Sequence, residues 1–111
     1  RSSADIKNHV QSIADNLSNP PWDEWNEGRD IDSEGEFSAF DYLQDALDIE
    51  YIVNSKGEYL GARILVAFGG PNIWVNTRTK TVEGHWWADS YSETYTDSIG
   101  LDEALEELFN C

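Results

Sequence analysis

Apolar residues recur at helical spacing near both ends of the chain and at strand spacing between them. Ile6, Val10, Ile13 and Leu17 fall on one face of a helix. Ser2 or Ser3 caps it, Asp5 sits in its opening turn, and Asn19-Pro20-Pro21 stops it. From Trp22 to Glu36 no period holds, which predicts an acidic loop carrying Trp22 and Trp25. Ser38 and Asp41 then have the spacing of a capping box, followed by a short helix with Phe40, Leu43 and Leu47 inward.

Strand patterning takes over beyond that helix. Ile49–Asn54, Gly61–Phe68, Asn72–Thr77 and Thr81–Trp87 are β-rich runs separated by short turn sequences, and Tyr91–Thr96 adds a fifth, polar edge strand. Leu101, Ala104, Leu105 and Leu108 mark a final amphipathic helix with Asp102 and Glu103 in its first turn. Short links favour an antiparallel meander, since parallel neighbours need long crossovers. The predicted fold is α+β, a single domain over residues 1–111 in the order α-α-β-β-β-β-α, with three helices on a sheet of four or five strands.

Composition agrees with a packed core. A chain of 111 residues buries about 65% of its unfolded surface. Five tryptophans, five tyrosines and four phenylalanines oppose the aromatic-poor composition of disorder. No apolar run reaches the roughly 20 residues of a membrane span. The lone Cys111 excludes an internal disulfide and fits a reducing, cytoplasmic setting. Arg1 in place of methionine leaves room for a missing start or a removed signal peptide.

Charge changes the picture most. The net charge is −15, from 22 acids against 7 bases. One acid block runs from Asp23 to Glu50 with Arg29 as its only base, and another from Glu83 to Glu107 with none. Such a chain repels nucleic acid and anionic membranes and is drawn to basic surfaces or cations.

Catalytic patterns are weak. Asp23 with Glu24, or Glu83 near His85, have nothing that fixes a working separation, and solvated surface explains them better. No His/Cys cluster has zinc spacing, no nucleophile elbow occurs, and Gly69-Gly70-Pro71 lacks the lysine of a phosphate loop. We read no enzyme in the sequence. The segment Asp30–Asp41 has the spacing of a calcium loop, with Asp30, Asp32, Glu34 and Asp41 as candidate ligands and Gly35 at the turn. Against calcium, Glu34 is long for its position, Asp41 closes the loop less well than glutamate, and a capping box accounts for Asp41. Trp86 and Trp87, adjacent in a strand, must face opposite ways, which puts one in the core and leaves the other needing cover or a ligand.

Phe40-Asp41-Tyr42-Leu43, the run Val66–Val75, Gly84-His85-Trp86-Trp87 and Gly100–Ala104 resemble small acidic accessory proteins of bacterial mobile elements. The resemblance covers about two thirds of the chain and brings no catalytic residues or shared inhibitor motif. It implies a setting in which antirestriction and anti-CRISPR proteins mimic nucleic-acid charge. The expected function is therefore an acidic inhibitor that occupies the basic channel of a nucleic-acid-binding enzyme without binding nucleic acid itself. Its expected contacts are Asp23, Glu24, Glu27, Asp30, Asp32, Glu34, Glu36, Asp102, Glu103, Glu106, Glu107 and Trp87. The rivals are a calcium-stabilised module binding sugar or peptide through tryptophans, and an accessory subunit docking a specific protein.

Overall fold

The structure is a computed structural model that describes residues 3–28 and 36–111. Helices α1 (Ser3–Ser18), α2 (Trp22–Glu27) and α3 (Ala39–Gln44) precede five strands, and α4 (Leu101–Phe109) follows them. The strands are β1 (Asp48–Val53), β2 (Tyr59–Ala67), β3 (Asn72–Asn76), β4 (Thr81–Trp86) and β5 (Asp89–Thr94). All neighbours are antiparallel, in the order β1-β2-β3-β4-β5. The α+β meander is as expected, with a full fifth strand and four described helices rather than three.

The extra helix is α2, where the pattern predicted a loop. Six residues are too few to display a helical period. Its signal is of another kind, the acids Asp23 and Glu24 in the first turn. Two faces also differ from expectation. Phe40 is 41% exposed and Leu47 60% exposed, while Ala39 and Leu43 are buried. The helix ends at Gln44, and the Leu47 N–H already donates to the Leu65 carbonyl at 2.8 Å, so Leu47 follows strand rather than helix geometry.

Alternation along the strands divides the sheet. Ala62, Ile64, Ile73, Val75 and Val82 point to one face and form the core with Ile6, Val10, Leu17, Leu101 and Leu105. Helix α1 lies on β4 and β5, α4 lies on β2, and α3 touches α4. The other face carries Glu50, Arg63, Leu65, Trp74, Glu83 and His85 by register. There the Arg63 guanidinium stacks 4.3 Å from the Trp74 ring and pairs with Glu50 at 3.1 Å and Glu83 at 3.7 Å. This cluster knits β1 through β4, and among the described helices α1 and α4 pack on the strands from the core side.

Gly84 sets how closely α1 approaches the sheet. A Cβ there would meet Val10 Cγ2 at 2.6 Å and Ile6 Cγ2 at 2.9 Å. Both neighbours are β-branched and stiff, so they cannot swing away. Gly84→Ala should therefore destabilise the protein by about 1–3 kcal/mol through overpacking. Urea unfolding followed by circular dichroism measures this, and an unchanged midpoint would mean that α1 slides freely on the sheet.

Candidate functional site

The acids of α2 and α4 are presented by apolar anchoring on their opposite sides. Trp25 packs on Phe37 at 4.9 Å and on Tyr42 at 5.8 Å, with Trp22 edge-on at 5.9 Å. Asn26 Oδ1 accepts the Phe37 N–H at 2.6 Å, holding together the described ends that flank residues 29–35. Asp23, Glu24 and Glu27 are left exposed, as is Glu36.

Helix α4 buries Leu101, Ala104 and Leu105. Its start is held by Asp97, whose carboxylate accepts the Leu101 N–H at 2.8 Å and the Asp102 N–H at 3.0 Å. Glu103, Glu106 and Glu107 face solvent together. Asp102 does not belong to that exposed row. It is half-buried and accepts the Tyr59 hydroxyl at 2.7 Å, so its carboxylate joins helix to sheet. Leu108, expected inward, is 37% exposed.

The remaining expected contacts divide into two groups. Asp30, Asp32 and Glu34 lie outside the described residues. Trp87 is described, and it is 90% exposed. Trp86 faces the helices and packs beside the core, whereas Trp87 occupies the two-residue turn between β4 and β5 rather than the far face of a strand. The same end of the sheet holds Phe68 at 71% exposure, just before the Gly69-Gly70-Pro71 turn, and Leu47. The sequence pattern places Leu47 inward on a helix and Phe68 at the end of a strand, and the structure exposes both. An aromatic directly before a Gly-Gly-Pro turn has left the strand pairing that would bury it, and that was the available signal.

Of the four candidate calcium ligands only Asp41 lies among the described residues. Asp41 Oδ2 accepts the Ser38 N–H at 2.8 Å and its hydroxyl at 3.2 Å, completing the capping box of α3. Among the described residues no group of three or more His, Cys, Asp or Glu side chains is arranged to hold a metal ion. Glu83 and His85 share the outer face, but Glu83 is tied to Arg63 and accepts from Thr81 at 3.3 Å. A recess of about 430 Å³ between α1, α2, α3 and β2 is lined by Ile13, Trp25, Phe37, Tyr42 and Val66. Among the described residues no helix is long and apolar enough to cross a membrane.

No family model, curated protein or solved structure matches the chain.

Three tyrosines link the helical layer to pH. Burial pushes the Tyr42 hydroxyl up to about 12, and burial also raises Tyr95 and Tyr59, the latter helped by its bond to Asp102. A raised folded value means that the fold keeps a proton the unfolded chain releases near pH 10. Stability should thus be full below pH 10 and fall as the pH climbs towards 12. Tyr42→Phe should flatten this fall in urea midpoints, and an identical profile would remove Tyr42 from the linkage. Asp41→Ala should cost about 1 kcal/mol through loss of the cap. An equal loss in chelator and in millimolar calcium fits the cap alone, whereas calcium stabilisation that disappears in the variant assigns Asp41 to a metal.

Proposed function

We propose that the protein is a non-enzymatic acidic inhibitor that occupies the basic nucleic-acid channel of a partner enzyme. A DNA- or RNA-binding host-defence nuclease is the partner suggested by the mobile-element resemblance. The observation that carries the proposal is the pair of helices whose exposed acids have no base among them. Asp23, Glu24 and Glu27 form one group, and Glu103, Glu106 and Glu107 the other. The described bases lie elsewhere, with Lys7 on α1, Lys56, Arg78 and Lys80 in turns at one end of the sheet, and Arg63 on its outer face.

Spacing supports competition with phosphates. Positions 103 to 107 span about 6 Å of helix rise. Duplex DNA presents a charge every 1.7 Å or so, hence about three or four over that length. Three carboxylates in the same interval offer comparable charge density to a basic groove. The same sign keeps the protein off DNA itself and off anionic lipid.

Helix physics supplies a second support. Glu106 and Glu107 stand in the last turn of α4, which contains no base. Acids there oppose the helix dipole, at about 0.3–1 kcal/mol each when exposed. Charge is kept where stability would favour lysine.

These relations set the test. Replacing Glu106 and Glu107 by Lys should weaken inhibition by about tenfold while leaving the urea midpoint equal or higher. Wild-type inhibition should fall steeply with salt. The assay titrates the protein into restriction and CRISPR nucleases and measures DNA binding and cleavage. Unchanged activity across that panel, with a captured partner that never touches nucleic acid, would replace this reading by that of a docking subunit.

A further inference from the structure

The end of the sheet that carries Trp87 differs from the rest of the surface. Trp87, Phe68 and Leu47 are 90%, 71% and 60% exposed, and all three lie where β1 begins, β2 ends and β4 turns into β5. The two turns are in contact, since a Cβ on Gly70 would stand 3.2 Å from the Trp86 ring, and Trp86 meets Trp87 edge-on at 6.1 Å. Asp45, Asp48 and Asp89 border this end and are exposed, whereas Lys56, Arg78 and Lys80 belong to turns at the opposite end.

Backbone geometry makes Trp87 a costly choice. Trp86 pairs with Asp89, so Trp87 and Ala88 alone make the turn. Of these two, only Trp87 has a positive φ, 56°. Glycine is the usual residue at the first central position of such a turn, and a bulky side chain there is disfavoured. Nothing is returned by burial, because the ring is almost wholly in solvent.

We infer that this tip is an anchor that docks a basic amphipathic segment of a protein partner, with Trp87, Phe68 and Leu47 taking its apolar side chains and the flanking aspartates its lysines or arginines. Exposed tryptophan concentrates binding energy when a partner desolvates it, and acids at the rim select cations. A second copy of this chain is a poor occupant, since each carries −15. The inference rests on the reading of a basic protein partner but not on that partner being a nuclease.

The probe is a short amphipathic leucine–lysine peptide, with leucine–glutamate and oligolysine peptides as controls, followed by calorimetry. The wild type should bind the leucine–lysine peptide best. Trp87→Gly should weaken that binding by about tenfold or more while raising the melting temperature, because the turn is relaxed. Phe68→Ser should weaken it with the melting temperature unchanged. Equal affinity for oligolysine, equal affinity of the Trp87→Gly variant, or a fall in its melting temperature would overturn the anchor. So would self-association, or binding to phosphatidylcholine vesicles, that disappears with Trp87→Gly. An inert nuclease panel alongside a Trp87-dependent peptide complex would reject the nuclease reading and leave the anchor standing.

Discussion

The close approach of α1 to β4 over Gly84 is the constraint from which the rest of the helical layer follows. With Ile6 and Val10 seated on that bare backbone, Leu17 and Ser18 reach the far end of the sheet. There the Leu17 carbonyl accepts the Ser98 N–H at 3.3 Å. Ser18 Oγ accepts the Thr96 N–H at 2.9 Å, and its carbonyl accepts the Ser98 hydroxyl at 2.7 Å. Those bonds fix the chain on either side of Asp97, whose carboxylate caps α4 and so directs Leu101 and Leu105 onto the sheet. The outward row of Glu103, Glu106 and Glu107 is the far consequence of a missing Cβ on β4.

Magnitudes explain why so acidic a chain still packs. Exposed like charges one helical turn apart cost a few tenths of a kcal/mol per pair, and salt screens more distant pairs. A fully buried leucine contributes about 1.5–3 kcal/mol. Helix α4 buries two of them, so packing outweighs the repulsion along its outer face. Helix α2, which buries no residue completely, relies instead on the stacking of Trp25 against Phe37 and Tyr42.

Legibility in the sequence followed the same physics. Strand runs with short turns between them leave little choice but a meander, and the buried alternation of Ala62, Ile64, Ile73 and Val75 matches it. The α2 helix was hidden because six residues complete too little of a turn pattern. Leu47 was misplaced because its helical spacing from Leu43 outlasted the helix itself. The acid blocks were visible as composition, but composition does not separate Glu103, which faces solvent, from Asp102, which binds Tyr59. That distinction depends on where β2 lies under α4. Trp87 was readable as needing cover, yet its left-handed turn could not be inferred from alternation that stops at Trp86.

Acidity kept only for solubility would be hard to reconcile with the tip of the β4–β5 hairpin. A chain selected for solvation gains by placing glycine or asparagine at a positive φ, and loses by placing tryptophan there. Acids in the last turn of α4 are likewise unhelpful to the helix that bears them. Each feature costs roughly 1 kcal/mol, by left-handed strain in one case and by the helix dipole in the other. Each is also exposed, and Trp87 keeps only its edge-on contact with Trp86 in return. Apolar surface and unpaired carboxylates become favourable together when a basic partner covers them, because desolvation strengthens ion pairing while burying the aromatic ring. Under the proposed reading the two local penalties share one resolution, cover by a basic partner.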